Sequence, residues 1–331
     1  MNVGINGFGR IGRLAFRCAW ANSTINVTQI NDPAGDSATW SHLLNFDSIQ
    51  GKWSENAQHV NQNIMVNGQP IACSQNESIG STDWSDCDLV IDASGKMKTQ
   101  KLLNEYLRQG VKQVLVTAPI QDPGILNLVM GVNHSLYQET RPPIVTASSC
   151  TTNCIAPAIK VIHESFGIAH GSITTIHDIT NTQAVLDAGH KDLRRARSSG
   201  NNLIPTTTGS ASAIAQIFPE LKGKLNGHAI RVPVANASLT DCVFELNQAA
   251  TVEAVNAELK RAADEELKEI LGFEERPLVS SDFVGDSRSS VVDALSTMII
   301  NKTQLKLCLW YDNEWGYANR VVDLADYICQ Q

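Results

Sequence analysis

The sequence predicts an α/β protein built as two domains: a parallel-sheet domain over residues 1–149, and an α+β domain over residues 150–314 whose sheet is mostly antiparallel. A closing helix at 315–331 is expected to pack back on the first domain. Three observations predict this. In the first half, short apolar and β-branched runs alternate with helical stretches, the rhythm of strands joined by covering helices. In the second half, the strand-like runs are longer, mostly adjacent, and alternate in polarity, as antiparallel strands with one covered face do. The change falls near Cys150 without a linker or repeat, and 331 residues suffice for two cores.

The elements follow in order. Residues 2–5 read as a short strand and 10–21 as a helix. Residues 25–30 form a second strand, apolar at Ile25, Val27 and Ile30. A hairpin spans 63–71 and turns at Asn67-Gly68, a pair that tolerates the positive φ of a tight turn. The runs 89–91 and 114–116 are strands with a helix at 101–108 between them. Residues 144–146 lead towards an alanine- and isoleucine-rich helix from Ile155. Later, 228–234, 239–246 and 304–311 read as strands, 251–267 as an amphipathic helix and 315–328 as the last helix.

Composition excludes several classes of function. The apolar fraction is 43%, and no run approaches the roughly 18 consecutive apolar residues of a membrane helix. No basic segment or cleavage site precedes the first strand, so a cytoplasmic protein is expected. A net charge of −8 disfavours nucleic acid as a partner, and the one dense basic run is 191–197, with four cations. Eight cysteines in such a chain predict reduced thiols. There are no paired CxxC sets and no clustered histidines, so no metal site is expected. Cys18, Cys87, Cys242 and Cys308 sit among apolar residues and read as core. Cys150 and Cys154, one helical turn apart, read as two free thiols on one helix face.

Five features carry chemistry. Gly7-Phe8-Gly9-Arg10-Ile11-Gly12 follows the first strand and opens the first helix, and Asp32 ends the second strand twenty residues after Gly12. Glycines let a backbone approach a pyrophosphate, a helix N-terminus stabilises its charge, and a carboxylate at that spacing accepts hydrogen bonds from a ribose. Glycines and Asp32-Pro33 also suit ordinary turns, but the two signals in this context favour dinucleotide binding. Cys150, in Ser149-Cys150-Thr151-Thr152-Asn153-Cys154, stands where a strand passes into a helix, beside unpaired N–H groups that favour the reactive thiolate. His177 ends a β-branched run and is the natural general base for such a thiol. Thr206-Thr207-Thr208-Gly209 precedes a helix and suits an anion. Arg231 lies in an otherwise apolar strand, where its partner is either an internal carboxylate or a substrate phosphate.

With these residues in place, the chain resembles phosphorylating glyceraldehyde-3-phosphate dehydrogenase over essentially its whole length. The matching stretches are 3–11, 147–157, 190–197, 221–233 and 310–317, and the most specific are Ser-Cys-Thr-Thr-Asn, Leu225-Asn226-Gly227 with Arg231, and Trp310-Tyr311-Asp312-Asn313-Glu314-Trp315-Gly316-Tyr317. The resemblance implies a Rossmann-type first domain and a catalytic second one. By that resemblance Cys150 is the nucleophile and His177 the base and hydrogen-bond donor. Gly7, Gly9, Arg10, Ile11, Gly12, Asp32, Ser94 and Thr117 line the dinucleotide, and Asn313 orients its nicotinamide amide. Thr180 and Arg231 bind the substrate's phosphate. Ser149, Thr151, Thr208 and Gly209 bind the incoming inorganic anion, with Arg195 nearby. The implied reaction oxidises glyceraldehyde 3-phosphate through a cysteine thioester, passes hydride to NAD, and ends in attack by phosphate. The basic run 191–197 falls in a loop that lies at a subunit interface in this family, which implies a homotetramer.

The sequence departs from the common family pattern in places. Ala188-Gly189 replaces a Leu-Pro pair that crowds the adenosine 2′ position, which admits NADP beside NAD, while Asp32 and Gln75 weigh against it. Ser212 stands where lysine is frequent, and Asp178 follows His177 where a small residue is usual. The segments 31–36, 93–98 and 177–182 resemble a bacterial subgroup associated with arsenate resistance, in which arsenate replaces phosphate and a transporter exports the product. Two other readings stay open here: erythrose-4-phosphate dehydrogenase, which releases its acid by hydrolysis, and a non-catalytic dinucleotide-binding or moonlighting interaction protein.

Overall fold

The computed structural model describes residues 1–331, apart from the side chains of residues 210–212, so Ser212 lies outside what can be compared. Two compact units emerge: residues 1–149 with 318–331, and residues 150–317.

The first unit is built on a nine-stranded sheet. At its centre Asn2–Asn6 pairs in parallel with Asn26–Asn31 on one side and Leu89–Asp92 on the other. Val3 therefore lies opposite Val27 and Leu89, and Ile5 opposite Ile30 and Ile91. All of these are buried, which is why the strands read as continuous apolar runs and not as alternating ones. Gln113–Val116, Ile144–Thr146 and Leu126–Asn127 continue the parallel sheet outwards. On the other edge, Gln69–Ser74 is parallel to Asn26–Asn31 and leads an antiparallel extension through Asn63–Val66 and Ala57–Val60. The hairpin turns at Asn67 and Gly68, with φ of 50° and 83°, the paired left-handed conformation that the residue types predict. The final helix, Trp315–Cys329, contributes Tyr327 to this unit, its ring 5.1 Å from His134 and 6.4 Å from Tyr137.

The second unit is built on an eight-stranded mixed sheet. Ser238–Leu246 lies at its centre, antiparallel to Ile168–His177 on one side and to Gln304–Tyr311 on the other. Ile168–His177 is, however, parallel to Leu225–Arg231, as Leu271–Glu274 is to Ser290–Asp293. The exception has a plain cause: a long crossover, containing the helix Ser210–Ile217, separates residue 177 from 225 and returns the chain in the same direction. The strand itself runs Leu225–Arg231 and not 228–234.

Two helix boundaries differ from expectation. The helix predicted from Ile155 begins a turn earlier and spans Cys150–Phe166. Thr151, Thr152 and Asn153 are poor helix formers, but all three are buried, and tertiary contacts override their propensity. The helix predicted over 251–267 spans Val252–Asp264, with Thr251 accepting a hydrogen bond from the Ala254 N–H at 3.2 Å as its N-cap. Val255, Leu259 and Ala262 form its buried stripe. None of the eight cysteines is in a disulfide. Cys87, Cys154 and Cys242 are buried, whereas Cys18 and Cys308, expected in the core, are only half-buried. Among the described residues no helix is long and apolar enough to cross a membrane, and no cluster of metal-ligating side chains occurs.

Candidate active site

In the first unit, Gly7, Ser94 and Thr117 all follow the C-terminal ends of parallel strands, where open α/β sheets take their ligands. Gly7 has φ +92°, and its N–H donates to the Asn31 carbonyl at 2.7 Å. A Cβ there would lie 2.4 Å from the Ser94 nitrogen, and one on Gly12 would lie 2.0 Å from the Gly7 carbonyl oxygen. Both glycines are thus demanded by close backbone packing. Gly9 differs, because nothing lies within 4 Å of where its Cβ would be. Gly9 is the N-cap of Arg10–Trp20, and no side chain caps that helix end. An open backbone leading into an uncapped helix N-terminus is a fitting cradle for a pyrophosphate.

Asp32 holds this loop from beside. Its carboxylate accepts the Phe8 N–H at 2.6 Å and the Ala34 N–H at 2.7 Å. Ser94 donates its hydroxyl to Asp92 at 2.6 Å, and the Thr117 N–H donates to the Asp92 carbonyl at 2.9 Å. Arg10 forms an ion pair with Asp47, and Ile11 beside it is half-buried. Gln75 donates to the Gly35 carbonyl at 2.6 Å, so it braces the segment after Asp32.

In the second unit, Cys150 opens its helix with Sγ 3.9 Å from His177 Nε2 and 3.9 Å from Thr151 Oγ1. Ser149 immediately precedes it in the chain. Thr151 is pinned through its hydroxyl to that of Tyr311 at 3.0 Å, and the Tyr311 ring stands edge-on to His177 at 6.2 Å. Parallel pairing puts Arg231 directly opposite His177 on the neighbouring strand. Arg231 donates to the Asp178 carbonyl at 3.0 Å and lies 2.7 Å from His177 Nδ1.

Several of the other named residues are held by contacts of their own. The Thr180 hydroxyl engages Gln183 at 2.9 Å and Thr182 at 3.0 Å. Arg195 donates to the Thr206 hydroxyl at 2.7 Å and to the Thr207 carbonyl at 3.3 Å, which ties it to the segment running into Thr208 and Gly209. Gly209 is the N-cap of Ser210–Ile217 and has open space at its Cβ position. Asn313 is buried, with its side-chain oxygen accepting the Ser238 hydroxyl at 3.0 Å.

The chain matches known proteins across nearly its full length. Residues 1–100 match the family described as "Glyceraldehyde 3-phosphate dehydrogenase, NAD binding domain", and residues 149–313 match its C-terminal domain. "Glyceraldehyde-3-phosphate dehydrogenase 3" of Nostoc sp. is 54% identical, covering 98% of this chain and 97% of its own. The chain belongs to the glyceraldehyde-3-phosphate dehydrogenase family. Relatives of that name in Geobacillus stearothermophilus and Bacillus cereus are 47% and 48% identical, covering 100% and 98% of this chain and 99% and 98% of their own. As a family member it is an NAD-dependent oxidoreductase with small-molecule substrates. Neither erythrose-4-phosphate dehydrogenase nor a non-catalytic binder is favoured by these matches.

His177 sits beside a buried carboxylate, that of Asp178. Burial alone would push its pKa down, but the adjoining Asp178 carboxylate and the Cys150 sulfur more than offset this and hold it up at about 9, against the opposing Arg231 charge. Two supports were not legible as site residues: Tyr311, which wedges Thr151 and His177, and Ser238, which bridges Asp178 and Asn313. Tyr311 lies inside a stretch whose resemblance was clear, but only its hydrogen bond to Thr151 reveals where its hydroxyl points.

Proposed function

We propose that this enzyme oxidises glyceraldehyde 3-phosphate by a cysteine thioester mechanism and releases an acyl phosphate. One observation carries the reading: a half-exposed thiol at a helix N-terminus faces a buried imidazole across 3.9 Å, with an arginine register-paired to that imidazole. Cys150 thiolate adds to the aldehyde carbon, and the resulting oxyanion is met by the Cys150 N–H and the His177 ring, which delivers it a proton. His177 then removes that hydroxyl proton as the carbon–hydrogen bond breaks, leaving a thioester on Cys150. When bound, NAD supplies the hydride acceptor, and Asn313 orients its carboxamide. Inorganic anion, held by Ser149, Thr151, Thr208 and Gly209 with Arg195 nearby, attacks the thioester carbon. The thiolate leaves and the acyl phosphate departs. Thr180 and Arg231 hold the substrate's own phosphate throughout.

The dinucleotide residues are Gly7, Gly9, Arg10, Ile11, Gly12, Asp32, Ser94 and Thr117. The doubly anchored Asp32 carboxylate favours a ribose hydroxyl over a 2′-phosphate at its side of the loop, since two like charges at about 4 Å repel by several kcal/mol near a protein surface. Arsenate differs little from phosphate in size and charge, and the resemblance of residues 31–36, 93–98 and 177–182 to the arsenate-associated subgroup supports it as a further attacking anion. The decisive experiment follows nicotinamide reduction with phosphate, with arsenate and with neither, using NAD and NADP. Anion-dependent turnover, faster with NAD, is expected. Turnover indifferent to both anions would instead mean hydrolysis of the thioester and would reject the reading.

The protein works as a homotetramer in the cytoplasm. Support comes from the segment 185–203, where Val185, Leu186, Leu193 and Leu203 are 70–81% exposed, an apolar cost a monomer has no reason to bear. Sedimentation should give a mass four times that of the chain, and a monomeric mass at micromolar concentration would refute this assembly.

A further inference from the structure

Asp178 is 1% exposed, and among the described residues its carboxylate oxygens meet no hydrogen-bond donor other than the neighbouring imidazole. A buried carboxylate without donors is costly unless a cation compensates it. The nearest candidate is the imidazole itself: Oδ1 lies 2.7 Å from His177 Nδ1, in an ion-pair contact, and Nδ1 is also 3.0 Å from the Asp178 carbonyl. Arg231 comes within 2.7 Å of the same nitrogen, which would suit an unprotonated Nδ1. A carboxylate and a carbonyl beside that atom outweigh one guanidinium already donating to the carbonyl, so Nδ1 carries the proton and Nε2 is left facing Cys150.

We propose that Asp178 is a positioning residue for the reaction: its buried carboxylate fixes the tautomer and plane of His177 and strengthens that ring as a base towards Cys150 and the substrate hydroxyl. The backbone of Asp178 is itself held, since its N–H donates to the Ser238 hydroxyl at 3.1 Å, and that hydroxyl donates to Asn313 at 3.0 Å. The base and the residue assigned to the nicotinamide amide thus share one hydrogen-bonded support. This inference rests on the proposed Cys150–His177 chemistry.

The groups facing His177 are Asp178 immediately after its strand, Cys150 on the helix, Arg231 on the parallel neighbour and Tyr311 on Gln304–Tyr311. Only Asp178 supplies a carboxylate among these. A histidine held up at about 9 is protonated at neutral pH, and the hydride step needs it neutral. Turnover should therefore climb with pH towards that value. Asp178→Asn keeps the shape and removes the charge, so the acid limb of the kcat profile should move down by one pH unit or more. The plateau rate should fall several-fold because the base is weaker, with the KM for glyceraldehyde 3-phosphate little changed. Iodoacetamide alkylation of Cys150 at pH 7, which needs no turnover, should slow at least threefold as the imidazolium partner is lost. Asp178→Ser provides the same readouts if the asparagine variant does not fold. An acid limb and an alkylation rate that stay with the wild type would overturn the inference. A wild type that does not turn over glyceraldehyde 3-phosphate would overturn the parent reading instead, and the alkylation profile would still judge Asp178.

Discussion

Replacing Cys150 by alanine should lower turnover of glyceraldehyde 3-phosphate at least about a thousandfold, the scale seen when an enzyme loses its covalent nucleophile. Binding of NAD should survive, because the glycine cradle and Asp32 belong to the first unit and carry their own hydrogen bonds. Stability should change little. Cys150 is only half-buried at the first turn of Cys150–Phe166, and alanine is the best helix former for that position. The check is a steady-state assay paired with a fluorescence titration of NAD, and with mass spectrometry of enzyme mixed with substrate and NAD. Wild type should accumulate an acyl adduct when the inorganic anion is withheld, and the variant should not. A variant that turns over at the wild-type rate would remove Cys150 from the chemistry.

A second large effect is expected at Gly7, and it is of a different kind. Gly7→Ala places a methyl group 2.4 Å from the backbone nitrogen of Ser94 at a φ of +92°, a conformation that side chains rarely adopt. The left-handed strain costs about 1–2 kcal/mol and forced overpacking about 1–3 kcal/mol more. The neighbour is backbone at the end of a central strand and cannot rotate aside. We expect a thermal midpoint lower by several degrees and a loss of NAD affinity, since any relief must displace the loop. Gly9→Ala makes the contrast. Its φ is −70° and no protein atom lies near its Cβ, so stability should hold while NAD affinity drops, because the methyl group enters the space the pyrophosphate needs. Equal behaviour of the two variants in a thermal melt would refute the distinction.

Much of this was legible because local rules and global fold agree. Asn67-Gly68 dictates a left-handed two-residue turn, and the hairpin is there. The glycine run is bracketed by a strand and a helix, as its chemistry requires. What stayed hidden needed contacts distant in sequence. The early start of the Cys150 helix depends on burial of Thr151, Thr152 and Asn153, which no propensity reveals. The parallel partner of Ile168–His177 depends on a crossover whose length is visible but whose destination is not. Asp178 was legible as a departure from the family pattern, although its meaning awaited the 2.7 Å approach to Nδ1. Tyr311 and Ser238 carried no signal of their own, being an aromatic and a serine in strands that alternate like any others.

The parallel pairing of Ile168–His177 with Leu225–Arg231 also separates what can vary from what cannot. Residues between these strands may lengthen, shorten or change sequence, and His177 and Arg231 will still meet, because the ladder and not the loop sets their neighbourhood. Removing a single residue from within either strand would instead turn Arg231 to the opposite face of the sheet and part it from the imidazole. As far as this pairing goes, insertions are therefore tolerable between the two strands, while the seven-rung ladder from Gly171↔Leu225 to His177↔Arg231 acts as a ruler whose length the enzyme cannot alter.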